Sequence, residues 1–572
     1  MRIGSGAVLA GGLTALVLAS SGFTSVASAH GVKKAAGSNT IVFALPAQTN
    51  IPWYFPFSNG ANASLYTAQL ISQMFVGLTY VNSNYQLDPA NQIAQKIVYN
   101  KQGTVYHVFM SHKYKWSDGQ PVTSSDVLFT WQLIQALSNP KAPAPWPWYG
   151  AGSGDVPQGI QSVVANGPYE FTVTLKQPAN QEWFIYNGLG DFTPYPKQAW
   201  DKYPTNMTKE ITWLGKMATN PAIDSVVDGP YKLQSAVQNQ TWKLVPNPTF
   251  GGHKATANIV FAYETSSTAE FAALKTGQVQ VGYLPLSEFG ARAELPDHLV
   301  PGYNFGYFDI ELNFHKQAPG GLGVAFDQLY VRQALEMGID QKAIADVIYH
   351  GYMVPVYGPI PPQPKTPYLD PRLAKPLYPF NPQAGKALLE KHGWHEVGGV
   401  MTKNGTKLQF TMIYSAGDIA ATEQVELVQQ DWAQEGVKVT LKPEPFSTLI
   451  GLMSKPNDWQ SAGDQGITYG GSYPSGGTLF GYVNGQPGGL NNMGWDTPEE
   501  QALIAATHKP WPNQEQNLKH FYAYEYYTAQ QLVNLWMPLN DNLNEIAPNV
   551  NVPTWSLNNT TGFPLMQYWS VK

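Results

Sequence analysis

The chain contains no cysteine among its 572 residues. This absence excludes disulfide bonds, a catalytic thiolate and any metal site that needs cysteine ligands. Whatever holds the fold together must therefore come from packing and hydrogen bonding alone. A chain of this length exceeds the size that one hydrophobic core normally serves, so we expect two or three lobes.

Charge is also scarce, because only 13% of the residues are Asp, Glu, Lys or Arg, against about 25% in an average soluble protein. The net charge is −6 and no basic block occurs, which makes nucleic acid an unsuitable partner. Aromatic residues make up 13% of the chain, with 17 Trp and 32 Tyr. From this balance we hypothesise a protein that works in acid and stays folded near about pH 3, where carboxyl groups are neutral.

Long apolar runs are absent except at the start of the chain. Residues 7–19 are apolar or small, Arg2 supplies a positive charge, and Ala27-Ser28-Ala29 has the form of a cleavage site. This pattern predicts a signal peptide over residues 1–29, followed by a small polar linker over 30–39, with an uncleaved anchor as the alternative. The apolar run is too short for a permanent membrane span.

Patterns typical of catalysis and cofactor binding are missing. Gly150, Gly152 and Gly154 lie in a proline-rich loop without the strand and helix that a phosphate-binding loop requires. The closest histidine pair, His392 and His395, has no further ligands nearby in the sequence. No nucleophile is paired with a base, and no catalytic pair of carboxylates is recognisable. We therefore predict no cofactor, no metal and no enzymatic activity.

Two strand-helix-strand patterns indicate α/β architecture. In the first, Ser267 and Glu270 predict a capping box at the start of the helix, and each pattern predicts a parallel strand pair with a right-handed crossover. Their separation in the chain suggests two α/β lobes. The segments are 259–263, 267–277 and 279–284 in the first unit, and 408–414, 419–435 and 437–441 in the second.

Aromatic residues are concentrated in predicted loops, including the long loop Pro140–Gly159, which has no periodicity. Loop aromatics can line a cleft and cover a ligand by stacking. The alternative is that each one packs over its own lobe. The residues concerned are Trp53, Tyr54, Trp146, Trp148, Tyr149, Trp459, Tyr469 and Tyr473.

Five motifs in order carry a family resemblance, and the third of them is Asn247-Pro248-Thr249-Phe250. The first is the string from Trp116 to Trp131, in which Thr123 and Asp126 predict a capping box before an apolar helix. Together the motifs resemble the family 5 extracellular solute-binding proteins, the receptors of oligopeptide, dipeptide and related ABC importers. The others are Gly229-Pro230-Tyr231-Lys232-Leu233, Val331-Arg332-Gln333-Ala334-Leu335 with Gly338-Ile339-Asp340, and Phe380-Asn381-Pro382 with Gly393-Trp394.

The resemblance implies an α/β fold of the type II periplasmic-binding-protein architecture, with two hinged lobes and a smaller inserted lobe. It implies capture of an oligopeptide outside the cytoplasm and delivery to ABC permease subunits, with membrane contact only through the transporter. Because the chain has no cysteine, we expect no cysteine-linked lipid anchor. The implied divisions are 1–29 signal peptide, 30–39 linker, 40–82, 198–307 and 531–572 lobe I, 83–197 inserted lobe II, and 308–530 lobe III.

Other functions stay open. The first alternative is a neutral oligosaccharide or another small solute as the ligand of the same kind of importer. A surface hydrolase, or a chaperone-like or adhesive protein that keeps the fold, would be a different class.

One departure from the family pattern concerns the ligand's amine. Members that bind peptides commonly place an aspartate in a Trp-x-x-Asp-Tyr segment, whereas here Tyr469 stands in the Trp position and Ser472 in the Asp position. A buried ammonium without a counterion is costly, so either Asp464 substitutes or the ligand lacks a free amine. The predicted ligand-binding residues are Trp53, Tyr54, Trp459, Asp464, Tyr469, Gly470, Ser472 and Tyr473.

Overall fold

The computed structural model describes residues 39–477, 479–483, 486–487 and 490–572. The predicted signal peptide over 1–29, and all of the predicted linker except residue 39, lie outside these residues. Within the described ranges, we find no helix with the length and apolar character that crossing a membrane requires.

The strands belong to three main sheets and three small ones. In chain order they are β1 (Thr40–Ala44), β2 (Ala94–Tyr99), β3 (Val105–Met110), β4 (Ile160–Gly167), β5 (Glu170–Leu175), β6 (Tyr231–Val237), β7 (Thr241–Pro246), β8 (Asn258–Ala262), β9 (Val281–Tyr283), β10 (His298–Tyr303), β11 (Gly306–Leu312), β12 (Met353–Val354), β13 (His395–Val397), β14 (Val400–Lys403), β15 (Thr406–Lys407), β16 (Gln409–Ser415), β17 (Lys438–Glu444), β18 (Ser461–Thr468), β19 (Tyr482–Val483), β20 (Gln486–Pro487), β21 (Leu535–Met537), β22 (Leu539–Ile546), β23 (Val550–Asn551) and β24 (Ser570–Val571).

The helices pack on these sheets and are joined by short 3₁₀ turns. They are α1 (Leu65–Met74), α2 (Ser124–Leu137), α3 (Gln181–Asn187), α4 (Lys197–Trp200), α5 (Met207–Met217), α6 (Ser267–Lys275), α7 (Leu322–Phe326), α8 (Leu329–Met337), α9 (Gln341–Ala343), α10 (Pro382–Lys391), α11 (Ile419–Gln434), α12 (Phe446–Met453), α13 (Pro498–Thr507), α14 (Gln514–Gln531) and α15 (Thr554–Leu557).

The first main sheet has eight strands in the order β10-β22-β9-β1-β8-β7-β6, with β12 beside β22. We call it and its helices lobe I. Strand β1 is apolar at every position from Ile41 to Ala44 because the sheet is covered on both faces. The predicted first strand-helix-strand unit is present, but β8 and β9 do not pair with each other: both run parallel to β1, which lies between them.

The helix of this unit begins differently from the predicted capping box. Ser266, not Ser267, caps α6, and its side chain accepts a hydrogen bond from the backbone N–H of Ala269 at 3.2 Å. Glu270 turns away from the cap, and its Oε1 accepts from the backbone N–H of Tyr283 at 2.9 Å. A side chain predicted to close a helix end therefore ties α6 to β9 instead.

The second main sheet has five strands in the order β17-β16-β18-β11-β21, and we call it and its helices lobe III. Here the predicted second unit is confirmed directly, because β16 and β17 pair in parallel along their whole length with α11 between them in sequence. The third main sheet, β2-β3-β5-β4, is antiparallel throughout and forms lobe II. The predicted capping box is present at its helix α2, where the N–H of Thr123 donates to Asp126 at 2.8 Å.

Two short connections lead directly from a strand of one large sheet to a strand of the other, and longer connections before and after β12 also pass between the two sheets. The chain leaves β10 in lobe I and enters β11 in lobe III through Asn304 and Phe305, and it returns from β21 to β22 through Pro538. Strand β21 falls within the segment 531–572 that was predicted for lobe I, but it pairs with β11 in lobe III. These two short crossings, with lobe II inserted early, give two α/β lobes and a smaller third one.

Many carboxyl groups are buried without a cation. Glu435 has no exposed surface, and neither of its oxygens accepts a hydrogen bond from the described residues. Burial, helped by the nearby charge of Asp431, raises the pKa of Glu435 to about 9. Burial likewise raises the pKa of Glu336 to about 8 and that of Glu500 to about 7. These groups are therefore neutral in the folded protein in acid.

This pattern predicts that the protein is more stable in mild acid than above neutrality. A carboxyl whose folded pKa lies above its unfolded pKa stabilises the fold at low pH, and this stabilisation declines as pH rises from about 4.3 towards the folded value. For Glu435, Glu336 and Glu500, we expect the free energy of unfolding to fall by on the order of 1–4 kcal/mol per group between about pH 5 and pH 8. Denaturant unfolding across this range measures it.

Glu435→Gln tests the assignment, because Gln keeps the shape and removes the titrating proton. We expect this variant to lose less stability than the wild type as pH rises. Glu390→Gln on the exposed face of α10 is the matched control and should follow the wild type. Equal pH profiles for Glu435→Gln and the wild type would contradict the prediction.

Candidate ligand-binding cleft

A cavity of about 700 Å³ lies between the lobes and is lined by residues of all three. Its volume is in the range of pockets that enclose small organic ligands, about 300–1,000 Å³. Loops that follow parallel strands form much of its wall: Pro46 follows β1, Leu284 follows β9 and Ala416 follows β16. The carboxyl ends of parallel strands are where ligands bind in open α/β sheets.

Five of the predicted site residues line this cavity: Asp464, Tyr469, Gly470, Ser472 and Tyr473. They lie at the end of β18 and in the turn that follows it, where Gly470 has a φ of +58°. The phenol of Tyr469 donates to the backbone oxygen of Pro359 at 2.7 Å, so its ring is fixed. Ser472 is half-buried, and its backbone oxygen accepts a hydrogen bond from the phenol of Tyr85.

The structure does not bring the other three predicted residues to the cavity wall. Trp53 is 2% exposed and packs edge-on against Trp146 at 6.0 Å between ring centres. The hydroxyl of Tyr54 accepts a hydrogen bond from the indole of Trp242 at 3.1 Å. Trp459 is buried beside Asn313, whose amide donates to the Trp459 backbone oxygen at 2.9 Å. In each case the aromatic residue is buried away from the cavity, and Trp53 packs between lobes I and II.

The wall of the cavity is acidic and lacks cationic side chains. Among the described lining residues there is no Lys or Arg, and burial lowers the pKa of His508 to about 3, so its imidazole is neutral. Burial raises the pKa of every lining carboxyl, to about 8 for Asp464 and to about 6 for Asp541. The lining carboxyl groups are those of Asp191, Glu270, Glu311, Asp418, Asp464 and Asp541.

Local backbone geometry explains how two of these carboxyls reach the cavity. Asp464 lies opposite the register shift of β11 between Asp309 and Glu311, and its φ of +53° is unusual for a residue with a side chain. Its Oδ1 accepts from the amide of Gln424 at 3.0 Å. Asp418 follows β16 and caps α11, accepting from the N–H of Ala420 at 2.9 Å.

Lobe II contacts lobe III through hydrogen bonds between the side chain of Asn187 and the main chain of Tyr473. The amide of Asn187, at the end of α3, donates to the backbone oxygen of Tyr473 at 3.0 Å, and its Oδ1 accepts from the N–H of Tyr473 at 2.6 Å. The rings of Trp183 and His508 stack at 4.0 Å across the same boundary. The structure is therefore that of closed lobes.

Several cavity residues are absent from the predicted ligand-binding set. Trp148 and Tyr149, which were among the loop aromatics considered for a cleft, line the cavity. Asp418 was also missed, although its position directly after a predicted parallel strand is the signal that could have identified it. Glu270 gave no such signal, since its side chain was assigned to a helix cap.

Comparison with known proteins decides the family. The sequence profile described as bacterial extracellular solute-binding proteins, family 5 Middle, matches residues 88–488. The chain belongs to this family. Two relatives are the oligopeptide-binding protein AppA of Bacillus subtilis, 23% identical over 69% of this chain and 69% of its own length, and the periplasmic oligopeptide-binding protein OppA of Salmonella typhimurium, 26% identical over 66% of each chain.

Solved structures confirm the fold. AppA from Bacillus subtilis in complex with a nonapeptide superposes with a TM-score of 0.77 at 19% identity, covering 94% of this chain and 99% of AppA. NikZ from Campylobacter jejuni in complex with Ni(L-His) gives a TM-score of 0.72 at 19% identity, covering 93% and 99%. The predicted α/β architecture of periplasmic binding proteins is thus confirmed, and the family is one of binding proteins, not of enzymes.

The hydrogen bonds of Asn187 predict how closure is stabilised. Asn187→Ala removes both bonds to Tyr473, and we expect ligand affinity to fall about 5- to 150-fold, since each net hydrogen bond contributes about 0.5–1.5 kcal/mol. Small-angle X-ray scattering should report a larger radius of gyration for the ligand-free variant.

Asn166→Ala provides the control for this experiment. The side chain of Asn166 bonds only within lobe II, to Thr172 at 2.8 Å, among the described contacts. This variant should bind and scatter like the wild type. If Asn187→Ala also behaves like the wild type, these bonds do not stabilise the closed form.

Proposed function

We propose that the protein captures an oligopeptide outside the cytoplasm and delivers it to the permease subunits of an ABC importer. The observation that carries the proposal is the enclosed cavity shared by three lobes, in a member of this family. The relatives AppA and OppA are named as oligopeptide-binding proteins. Substrate enters when the lobes are apart and is enclosed when they close.

Closure is proposed to occur by bending at the two crossings between the large sheets, near Phe305 and at Pro538. We propose the predicted lobe divisions with adjustments at the strands. Residues 531–537 and 306–307 join lobe III, where β21 and β11 pair, and residues 353–354 join lobe I, where β12 pairs with β22. A pair of short adjacent connections permits rotation of one lobe against the other while each sheet stays intact. The segment 1–29 is proposed to direct export and to be removed.

The protein is proposed to release its ligand chemically unchanged. The arrangement nearest to a catalytic pair is Ser475 and His508, whose Oγ and Nε2 are 2.9 Å apart in the cavity wall. A general base works best when its pKa is near the working pH. The pKa of His508, lowered by burial to about 3, makes this imidazole too weak a base to activate the hydroxyl.

Isothermal titration calorimetry with a panel of pentapeptides and neutral oligosaccharides tests the proposal. We expect saturable binding of peptides, no binding of the sugars, and recovery of intact peptide by mass spectrometry. Binding of oligosaccharides alone would replace the peptide with a neutral solute. Recovery of cleaved peptide would overturn the assignment as a binding protein.

The Ser472 position gives a sharper prediction about the ligand's amino terminus. If Ser472 occupies the place of the family's aspartate, Ser472→Asp adds a counterion for a free ammonium. We expect binding of free-amine peptides to strengthen about tenfold, with no change for N-acetylated peptides of the same sequence.

Ser235→Asp is the matched control, because Ser235 is exposed on β6 and does not line the cavity, so this variant adds the same charge away from the ligand. Its affinities for both kinds of peptide should match those of the wild type. Equal effects of Ser472→Asp on free and acetylated peptides would mean that the amine lies elsewhere.

A further inference from the structure

Four of the carboxyl groups in the cavity wall come together where lobe I meets lobe III. Glu270 lies on α6 of lobe I, and Glu311, Asp418 and Asp464 belong to β11, the α11 cap and β18 of lobe III. We call these four residues the carboxyl cluster. The lobes touch beside it, since the hydroxyl of Ser267 donates to the backbone oxygen of Gly417 at 3.3 Å.

The charges of these groups influence one another across the lobe boundary. A negative charge on Asp418 raises the pKa of both Glu270 and Asp464, in addition to the larger effect of burial. The surrounding elements add only further acids and phenols to the cluster: Glu264 before α6, Glu423 on α11, Asp309 on β11, and the phenols of Tyr66, Tyr283 and Tyr349. Among the described lining residues, no Lys or Arg offers a counterion.

A separate observation indicates that one carboxyl oxygen of the cluster lacks a hydrogen-bond partner among the described residues. Glu311 is 4% exposed and lines the cavity, and its Oε2 accepts no hydrogen bond from any described residue. Buried acceptors are nearly always paired, because an unpaired one loses its water without compensation. An unpaired carboxyl oxygen at the wall of a ligand cavity is matched by a ligand that donates hydrogen bonds.

We propose that the carboxyl cluster binds the cationic side chain of a lysine or arginine in the ligand, and so selects peptides that carry such a side chain. This inference rests on the proposed function and specifies which ligands the same cavity takes. A cation in this position would join carboxyl groups of both lobes through charge-assisted hydrogen bonds. The ligand itself would then supply the counterion that the protein lacks and would stabilise the closed form.

The proposal has a measurable proton balance. Without ligand, burial favours the neutral form of these carboxyl groups: it raises the pKa of Asp464 and of Glu311 to about 8, and it also raises the pKa of Glu270 and of Asp418. A bound cation favours the ionised form, so each carboxyl that ionises releases one proton to solvent. Affinity for a cationic ligand should therefore rise with pH between about 5 and 8.

The test uses three pentapeptides with alanine at four positions and lysine, norleucine or glutamate in the centre, each with a free and an acetylated amino terminus. Calorimetry at about pH 7, in buffers of different ionisation enthalpy, gives both the affinity and the protons released. We expect the acetylated lysine peptide to bind about tenfold or more tightly than the acetylated norleucine peptide. If only the free amine strengthens binding, and the central lysine does not, the inference is wrong.

Substitutions assign the effect to the cluster. Asp464→Asn keeps the acceptor for Gln424, and Asp418→Asn keeps a good helix cap, so both variants should fold. Each should reduce the preference for cationic peptides and the number of protons released. Glu336→Gln is the matched control, because Glu336 has a similarly raised pKa, about 8, but does not line the cavity. It should leave binding unchanged.

The outcomes separate this inference from the function on which it rests. If peptides bind but lysine, norleucine and glutamate peptides have equal affinity and release no protons, the inference is wrong and the peptide function stands. If no peptide binds, including longer mixtures, the proposed function fails as well. A preference for cations that persists in both Asn variants would place the recognition elsewhere in the cavity and would also overturn the inference.

Discussion

The two crossings between the large sheets are the constraint on which the rest of this structure depends. The short connections at 304–305 and at 538 join two separate sheets, and the cavity that neither lobe fills lies between those sheets. The parallel strands on both sides point their carboxyl ends into that space. The cavity and the lobe contacts around it follow from this connectivity.

The second general property is the burial of carboxyl groups without cations. With 34 basic residues in 572, the chain has few partners to offer, and the surface ion pairs that exist, such as Lys342 with Asp346, contribute little to stability. Acids inside the lobes are therefore held neutral by burial. The same scarcity leaves the described part of the cavity wall without Lys or Arg, so that the composition of the chain and the acidity of the cavity have one physical origin.

The sequence predicted local structure well and long-range pairing poorly. The strands and helix around Val428 were located to within a few residues, because their apolar periodicity is determined locally. The pairing of β8 with β1 was not foreseen, since these strands are separated by some two hundred residues and no local pattern encodes that contact. The cap of α6 was predicted at Ser267 but lies at Ser266 for a related reason. Glu270, which was expected to complete the capping box, accepts a hydrogen bond from β9 instead.

The candidate site divides in the same way. The turn from Tyr469 to Tyr473 lines the cavity as predicted. Its position could be predicted because its glycines and its place after a strand are visible in the local sequence. The other predicted aromatic residues, Trp53, Tyr54 and Trp459, are buried away from the cavity. Their burial depends on neighbours from distant segments, which the local sequence does not reveal. Glu311 could not be identified from sequence at all, because only the assembled cavity distinguishes it from other strand acids.

The hydrogen bonds of Asn187 have one further consequence. They engage only the main chain of Tyr473, so they are indifferent to which side chain position 473 carries, provided that it retains an N–H. The side chain at position 473, in the cavity wall, can therefore be exchanged during evolution while the hydrogen bonds between lobes II and III are preserved. Descendants of this protein can acquire new ligands at that turn without first having to rebuild the movement that encloses them.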